Sequence, residues 1–137
     1  MTKLRTGRYQ ADLPDVLVID DDVDVRWSLI EVLQENGFVA IGAANGAEGS
    51  ALAAQRSPRL ILLDLRMPVM DGWQFLERRR ESSELARIPV AVISAEHAQL
   101  PSDAQVNAAL GKPVSEEQLL AVVVDLLRAD DAGARHG

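Results

Sequence analysis

Short apolar runs alternate along this chain with longer stretches of helical period. Val16-Leu17-Val18-Ile19, Leu60-Ile61-Leu62-Leu63 and Pro89-Val90-Ala91-Val92-Ile93 are continuously apolar, as expected of strands buried on both faces of a parallel sheet. Phe38 to Ile41 predicts a second, shorter strand, and Ala108-Ala109-Leu110 a weak fifth. Between the first two runs, Val25, Leu29, Val32 and Leu33 fall on one helical face. That helix starts near Asp22 to Asp24, acids suited to a helix N-terminus, and stops at Asn36-Gly37. Trp27 points away from the stripe. Asn45-Gly46 opens a small-residue helix through about Gln55. A third helix runs from Trp73 to about Ser82, with Trp73, Phe75 and Leu76 apolar and Arg78-Arg79-Arg80 toward water. Pro101 interrupts any helix between Ser94 and Lys112. Ser115-Glu116-Glu117-Gln118 is a capping-box pattern opening a last helix to about Arg128.

Five strand–helix units in succession with short connections predict an α/β fold, a doubly wound five-stranded parallel sheet with helices on both faces. Right-handed crossovers then bring the carboxyl ends of all five strands to one edge. Asp20 and Asp21 follow the first strand, Asp64 the third, Ser94 the fourth and Lys112 the fifth. Such an edge is where open α/β sheets place their chemistry. A lone Asp after a strand is usually a turn residue, but several loop residues of matching chemistry on one edge are poorly explained by turn preference.

Composition narrows the function. The 137 residues fit one domain, expected over 15–128, with a flexible lead-in at 1–14 and a flexible tail at 129–137. A net charge of −7 argues against non-specific nucleic-acid binding. No apolar run approaches membrane-spanning length, and residues 1–12 lack the apolar core of a signal peptide; a soluble, cytoplasmic chain is expected. Without cysteine there is neither a disulfide nor thiolate chemistry. Of the 14 basic residues only Lys3 and Lys112 are lysines, and Lys112 stands between Gly111 and Pro113, where a lone lysine invites a functional reading.

Three converging carboxylates repel one another unless a cation sits among them. Mg²⁺, a hard ion that keeps positions open for water and phosphoryl oxygens, suits Asp20, Asp21 and Asp64. With Lys112 as a point charge for phosphate and Ser94 as a donor, the set resembles a phosphoryl-transfer site. No histidine is placed to activate water. The nucleophile is then a carboxylate, Asp64, and the product an acyl phosphate on the protein.

The ordered set resembles the receiver domains of two-component response regulators, chemotaxis-type single-domain receivers of the flavodoxin-like (βα)5 fold. The resemblance spans about Val16 to Leu127. It rests on Asp20-Asp21, on Asp64 with Met67-Pro68 and Asp71-Gly72 behind it, on Ser94-Ala95 and on Lys112-Pro113. It implies that Asp64 is the phosphoacceptor. Asp20 and Asp21 hold Mg²⁺ directly or through water, and the backbone carbonyl of Arg66 completes the metal site. Ser94 turns to the phosphoryl group and Lys112 pairs with it; the Lys112–Pro113 bond is of a kind the family usually keeps cis. A stoichiometric phosphoacceptor rather than an enzyme follows, at most slowly dephosphorylating itself. The implied donor is a sensor histidine kinase or a histidine phosphotransfer protein. With no output domain expected after Leu127, the signal passes to a downstream protein by contact or onward phosphotransfer.

Two departures bear on that readout. Ala109 stands where the family often has a switching aromatic, and the segment around Pro101 is short for the usual fourth helix. Competing readings are a degenerate receiver that binds without phosphorylation, and an aspartate-nucleophile Mg²⁺ phosphatase. The first usually lacks an aspartate or the lysine; the second wants an acid where Arg66 stands. The calcium-loop spacing of Asp20, Asp22, Asp24 and Glu31 fails because its required glycine is Val25. Trp27 and Ile30 are a candidate docking face for the donor. The last helix is apolar over a wide arc (Leu119, Leu120, Val122, Val123, Val124, Leu126, Leu127), which fits a homodimer, a partner surface or a deeply covered core helix. Arg78 to Arg80 read as a solvated face.

Overall fold

A computed structural model describes residues 14–65, 72–95 and 106–136, the last seven as helix backbone. In chain order the elements are β1 (Val16–Ile19), α1 (Val23–Glu35), β2 (Ala40–Ala43), α2 (Gly46–Arg56), β3 (Leu60–Leu63), α3 (Gly72–Glu81), α4 (Ser83–Ala86), β4 (Val90–Ile93), β5 (Ala108–Leu110) and α5 (Glu116–His136). The five strands form one parallel sheet in the order β2-β1-β3-β4-β5. This is the doubly wound sheet expected from the sequence, with its switch of direction between β1 and β3.

Alternation along the strands divides the core in two. Val16, Val18, Leu60, Leu62, Ala91 and Ile93 meet Leu29, Ile30 and Leu33 of α1 and Leu119, Val123 and Leu127 of α5. On the opposite face Leu17, Ile19, Ile61, Leu63, Val90 and Val92 meet Ala53 of α2, Phe75 and Leu76 of α3 and Leu85 of α4. β1, β3 and β4 are buried at every position, which explains their unbroken apolar sequences.

Several expectations need correction. β2 begins two residues later than predicted. The Phe38 N–H closes the end of α1 on Leu33 O, and Val39 contacts Asp15 ahead of the ladder, its N–H on Asp15 Oδ2 and its carbonyl taking the Asp15 N–H. α4 went unpredicted; Ser82 caps it by accepting from the Leu85 N–H. Arg79 is not solvated. It is 5 % exposed, one turn beyond Phe75 on the buried face, and donates through Nε and Nη2 to Ile88 O and through Nη2 to Ala86 O. Burial lowers its pKa. Ile30 is 4 % exposed, whereas Trp27 is 60 % exposed, so the two do not share an outer face. Ile30 joins Leu29 and Leu33 in the core, its Cδ1 lying over Gly42 of β2.

The wide apolar arc of α5 packs on the domain's own sheet: Leu120, Val122 and Leu126 lie half-buried beside Leu119, Val123 and Leu127. α5 also continues to His136, past the expected end at Arg128. No proline intervenes, and Ala129, Ala132 and Ala134 favour helix. Among the described residues no helix is long and apolar enough to cross a membrane. The expectations that rest on residues 1–13, Arg66 to Asp71 and the Pro101 segment lie outside the described residues.

Candidate functional site

β1, β3 and β4 each end by delivering a polar residue to the same edge. Asp20 follows β1, and its N–H donates to Ala43 O at 3.1 Å, extending the ladder to β2 by one bond. Asp64 follows β3, held by its N–H on Ile19 O at 2.9 Å. Ser94 follows β4, its N–H on Leu110 O at 3.0 Å. Asp20, Asp64 and Ser94 are buried, and Asp21 is exposed at the rim. Buried carboxylates at the end of a parallel sheet are costly unless compensated.

A compensating charge comes from the loop after β5. The Lys112–Pro113 bond is cis, and Lys112 Nζ lies 2.9 Å from Asp20 Oδ2 and 3.7 Å from Asp64 Oδ2. Burial alone would lower the pKa of Lys112. Its hydrogen bond to Asp20 and the charges of Asp20 and Asp64 outweigh that effect and hold it above the ordinary lysine value. The lysine is therefore an ammonium at neutral pH.

One oxygen from each of Asp20, Asp21 and Asp64 lies within 4.8 Å of the others. Hard anionic oxygens at this spacing suit a hard divalent cation. The third aspartate of the run does something different. Asp22 is the N-cap of α1 and accepts through Oδ1 from the N–H groups of Asp24 and Val25.

Two further residues shape the site: Arg26, which the sequence did not mark, and Gly72, which belongs to the Asp71-Gly72 pair behind Asp64. Arg26 Nη1 donates to the backbone carbonyl of Asp20 at 2.7 Å; only the fold reveals that the first turns of α1 return over the β1 loop. Gly72 opens α3 against the end of β3. A Cβ there would stand 2.6 Å from both Asp64 O and Leu65 Cα, so a side chain would force the backbone that carries Asp64 to move. Ala109 is exposed on β5 and offers only a methyl group.

A five-stranded parallel sheet with an acidic cluster and a lysine at its carboxyl edge defines the class of protein. The family model described as "Response regulator receiver domain" matches residues 16–124, and the chain belongs to that family, the receivers of two-component signalling. It is 36% identical over 124 residues to the DNA-binding dual master transcriptional regulator RpaA of Synechocystis sp., covering 87% of this chain and 51% of RpaA; the chain thus spans about half of that relative. It is 30% identical over 112 residues to Protein PilH of Pseudomonas aeruginosa, covering 79% of this chain and 93% of PilH. In fold it is similar to a CheY-like receiver domain protein from Methanospirillum hungatei, with a TM-score of 0.79 at 24% identity, covering 88% of this chain and 98% of the other.

Proposed function

We propose that the chain accepts a phosphoryl group on Asp64 from a histidine-phosphorylated partner, a sensor histidine kinase or a histidine phosphotransfer protein. The observation that carries this reading is Lys112 Nζ set between Asp20 and Asp64, beside a third carboxylate, at the mouth of a parallel sheet. Asp20, Asp21 and Asp64 would hold Mg²⁺, with the Arg66 carbonyl as a further oxygen. When bound, the ion supplies charge neutralisation for the phosphoryl oxygens and for the carboxylates around them.

An oxygen of Asp64 attacks phosphorus, forming the acyl phosphate O–P bond as the P–N bond to the donor imidazole breaks. The leaving imidazole keeps the electron pair of that bond. Asp20 and Asp21 take no part in bond making; they position and balance charge. Lys112, an ammonium within reach of Asp64, pairs with the transferred group. Ser94, buried at the end of β4, donates its hydroxyl to a phosphoryl oxygen. Those two contacts would draw the β4 and β5 ends toward Asp64, and a downstream protein reads the altered surface. With only a methyl at Ala109, that readout uses the loops rather than an aromatic side chain.

The test is the intact mass of the chain after incubation with acetyl phosphate, with Mg²⁺ or with EDTA, beside Asp64→Asn. The expected result is one added phosphoryl group, dependent on Mg²⁺ and absent from the variant. A folded, Mg²⁺-binding chain that gains nothing would overturn the acyl-phosphate reading and favour a binding module that works without phosphorylation.

A further inference from the structure

The carboxylate of Asp20 is held on both sides, and so is its backbone. Oδ2 accepts from Lys112, Oδ1 from the Asp22 N–H at 2.9 Å, and the main-chain N–H is bound to Ala43 O. The remaining polar group, the carbonyl oxygen, takes Arg26 Nη1 at 2.7 Å. That carbonyl belongs to the peptide that joins Asp20 to Asp21. Because the peptide unit is planar, fixing its oxygen fixes the direction in which the chain leaves toward Asp21. Asp21 is exposed, and the turn that carries it is tied by the Asp22 N–H on Asp20 Oδ1 and by Arg26 on the Asp20 carbonyl.

The reach of Arg26 is built into β2. Its stem lies over Gly42, where an added Cβ would stand 3.0 Å from Arg26 Cδ and 2.9 Å from Ile30 Cδ1. A glycine in a strand interior commonly marks a close approach, and here the approaching group is the arginine that crosses to the β1 loop.

We infer that Arg26 is a positioning residue for the cation site: its hydrogen bond to the Asp20 carbonyl orients the Asp20–Asp21 peptide so that the Asp21 carboxylate joins those of Asp20 and Asp64. The inference rests on the reading of this cluster as a Mg²⁺ site. It also opposes simple electrostatics, and that makes it testable. A guanidinium beside a cation site repels the cation, so if charge were its whole effect, removing it would tighten binding. If it orients the loop, removing it weakens binding.

Arg26→Met keeps an unbranched stem over Gly42 and deletes the donor; Arg26→Lys returns a donor and the charge on a shorter head. Mg²⁺ affinity is measured by calorimetry on the wild-type chain and both variants. Urea midpoints in EDTA, together with the Asp21 amide and Asp20 carbonyl NMR shifts, are recorded on the same samples. Supporting partners of metal ligands are commonly worth 10- to 100-fold in affinity, so Arg26→Met is expected to weaken Mg²⁺ binding about tenfold. Arg26→Lys should recover part of that loss, and the two NMR signals should move in Arg26→Met while the urea midpoint stays near wild type. Unchanged or tighter Mg²⁺ binding by Arg26→Met, with the wild type binding normally, overturns the role of Arg26 alone. A wild-type chain that binds no Mg²⁺ overturns the cation reading and this inference with it.

Discussion

Lys112 and Asp20 stand 92 residues apart in the chain and 2.9 Å apart in space. Their pairing makes a buried acidic cluster tolerable before any cation arrives. It also makes the ammonium a competitor for the oxygens a cation would use. In Lys112→Ala, Asp20 and Asp64 lose the ammonium that offsets their charge, so the chain in EDTA should be less stable, by roughly 1–3 kcal/mol for a pair whose lysine is partly solvated. Mg²⁺ should then bind more tightly than to wild type and restore much of the loss. Urea titrations with and without Mg²⁺ measure both effects. Weaker Mg²⁺ binding in the variant would mean that Lys112 shapes the site more than it competes for it.

Gly72 gives a second prediction, because it ties α3 to the strand that carries Asp64. The two nearest atoms a Cβ would meet are backbone atoms, which cannot swing aside as a side-chain end can. Gly72→Ala should cost about 1–3 kcal/mol, the usual range for forcing extra volume into a packed site. It should also slow phosphorylation by acetyl phosphate, since relief requires moving the Asp64–Leu65 segment. A variant with wild-type stability and rate would show that α3 is free to withdraw.

Arg78, Arg79 and Arg80 look alike in sequence and should behave differently. Arg79 serves the carbonyls of Ala86 and Ile88 from a buried position, and truncating it empties that position and removes two bonds from the half-buried Ile88 carbonyl. Arg79→Ala is expected to lose about 1–3 kcal/mol, whereas Arg78→Ala and Arg80→Ala should stay within about 0.5 kcal/mol of wild type. Chemical denaturation of the three variants decides it, and equal losses would remove the special place of Arg79.

That contrast shows where a linear reading stops. β1, β3 and β4 were legible because burial on both faces leaves an unbroken apolar signature, and their ends placed Asp20, Asp64 and Ser94 without further information. β2 slipped by two residues because Phe38 and Val39, the apolar residues just before it, are used to close α1 and to contact Asp15, while Gly42 inside the strand carries no apolar signal. α4 has four residues, too few for a helical period to show. Arg79 and Ile30 were misplaced for a common reason: the width of a buried helical face depends on what packs against it, here Gly42 of β2 over Ile30 and the turn after α4 that brings Ile88 O to Arg79. The Asp20–Lys112 pair was expected as a convergence, but the contact of Arg26 with the Asp20 carbonyl depends on backbone geometry that side-chain patterns do not encode.

The run Asp20-Asp21-Asp22 offers the sharpest separation of roles, since three identical side chains in succession meet three environments. Asp20 is buried against Lys112, Asp21 is exposed with an oxygen in the cluster, and Asp22 caps α1. Asp22→Ala removes a cap and should lower stability by about 1 kcal/mol, leaving Mg²⁺ affinity close to wild type. Asp21→Asn removes a charge that repels its neighbours, so stability in EDTA should hold or rise while Mg²⁺ affinity falls. Asp20→Asn should lower both, because Lys112 loses its nearest partner and the cluster loses a ligand. Stability and Mg²⁺ affinity measured on the same three proteins test this as a pattern. Loss of Mg²⁺ binding in Asp22→Ala without loss of stability would place the third aspartate, rather than the second, at the cation.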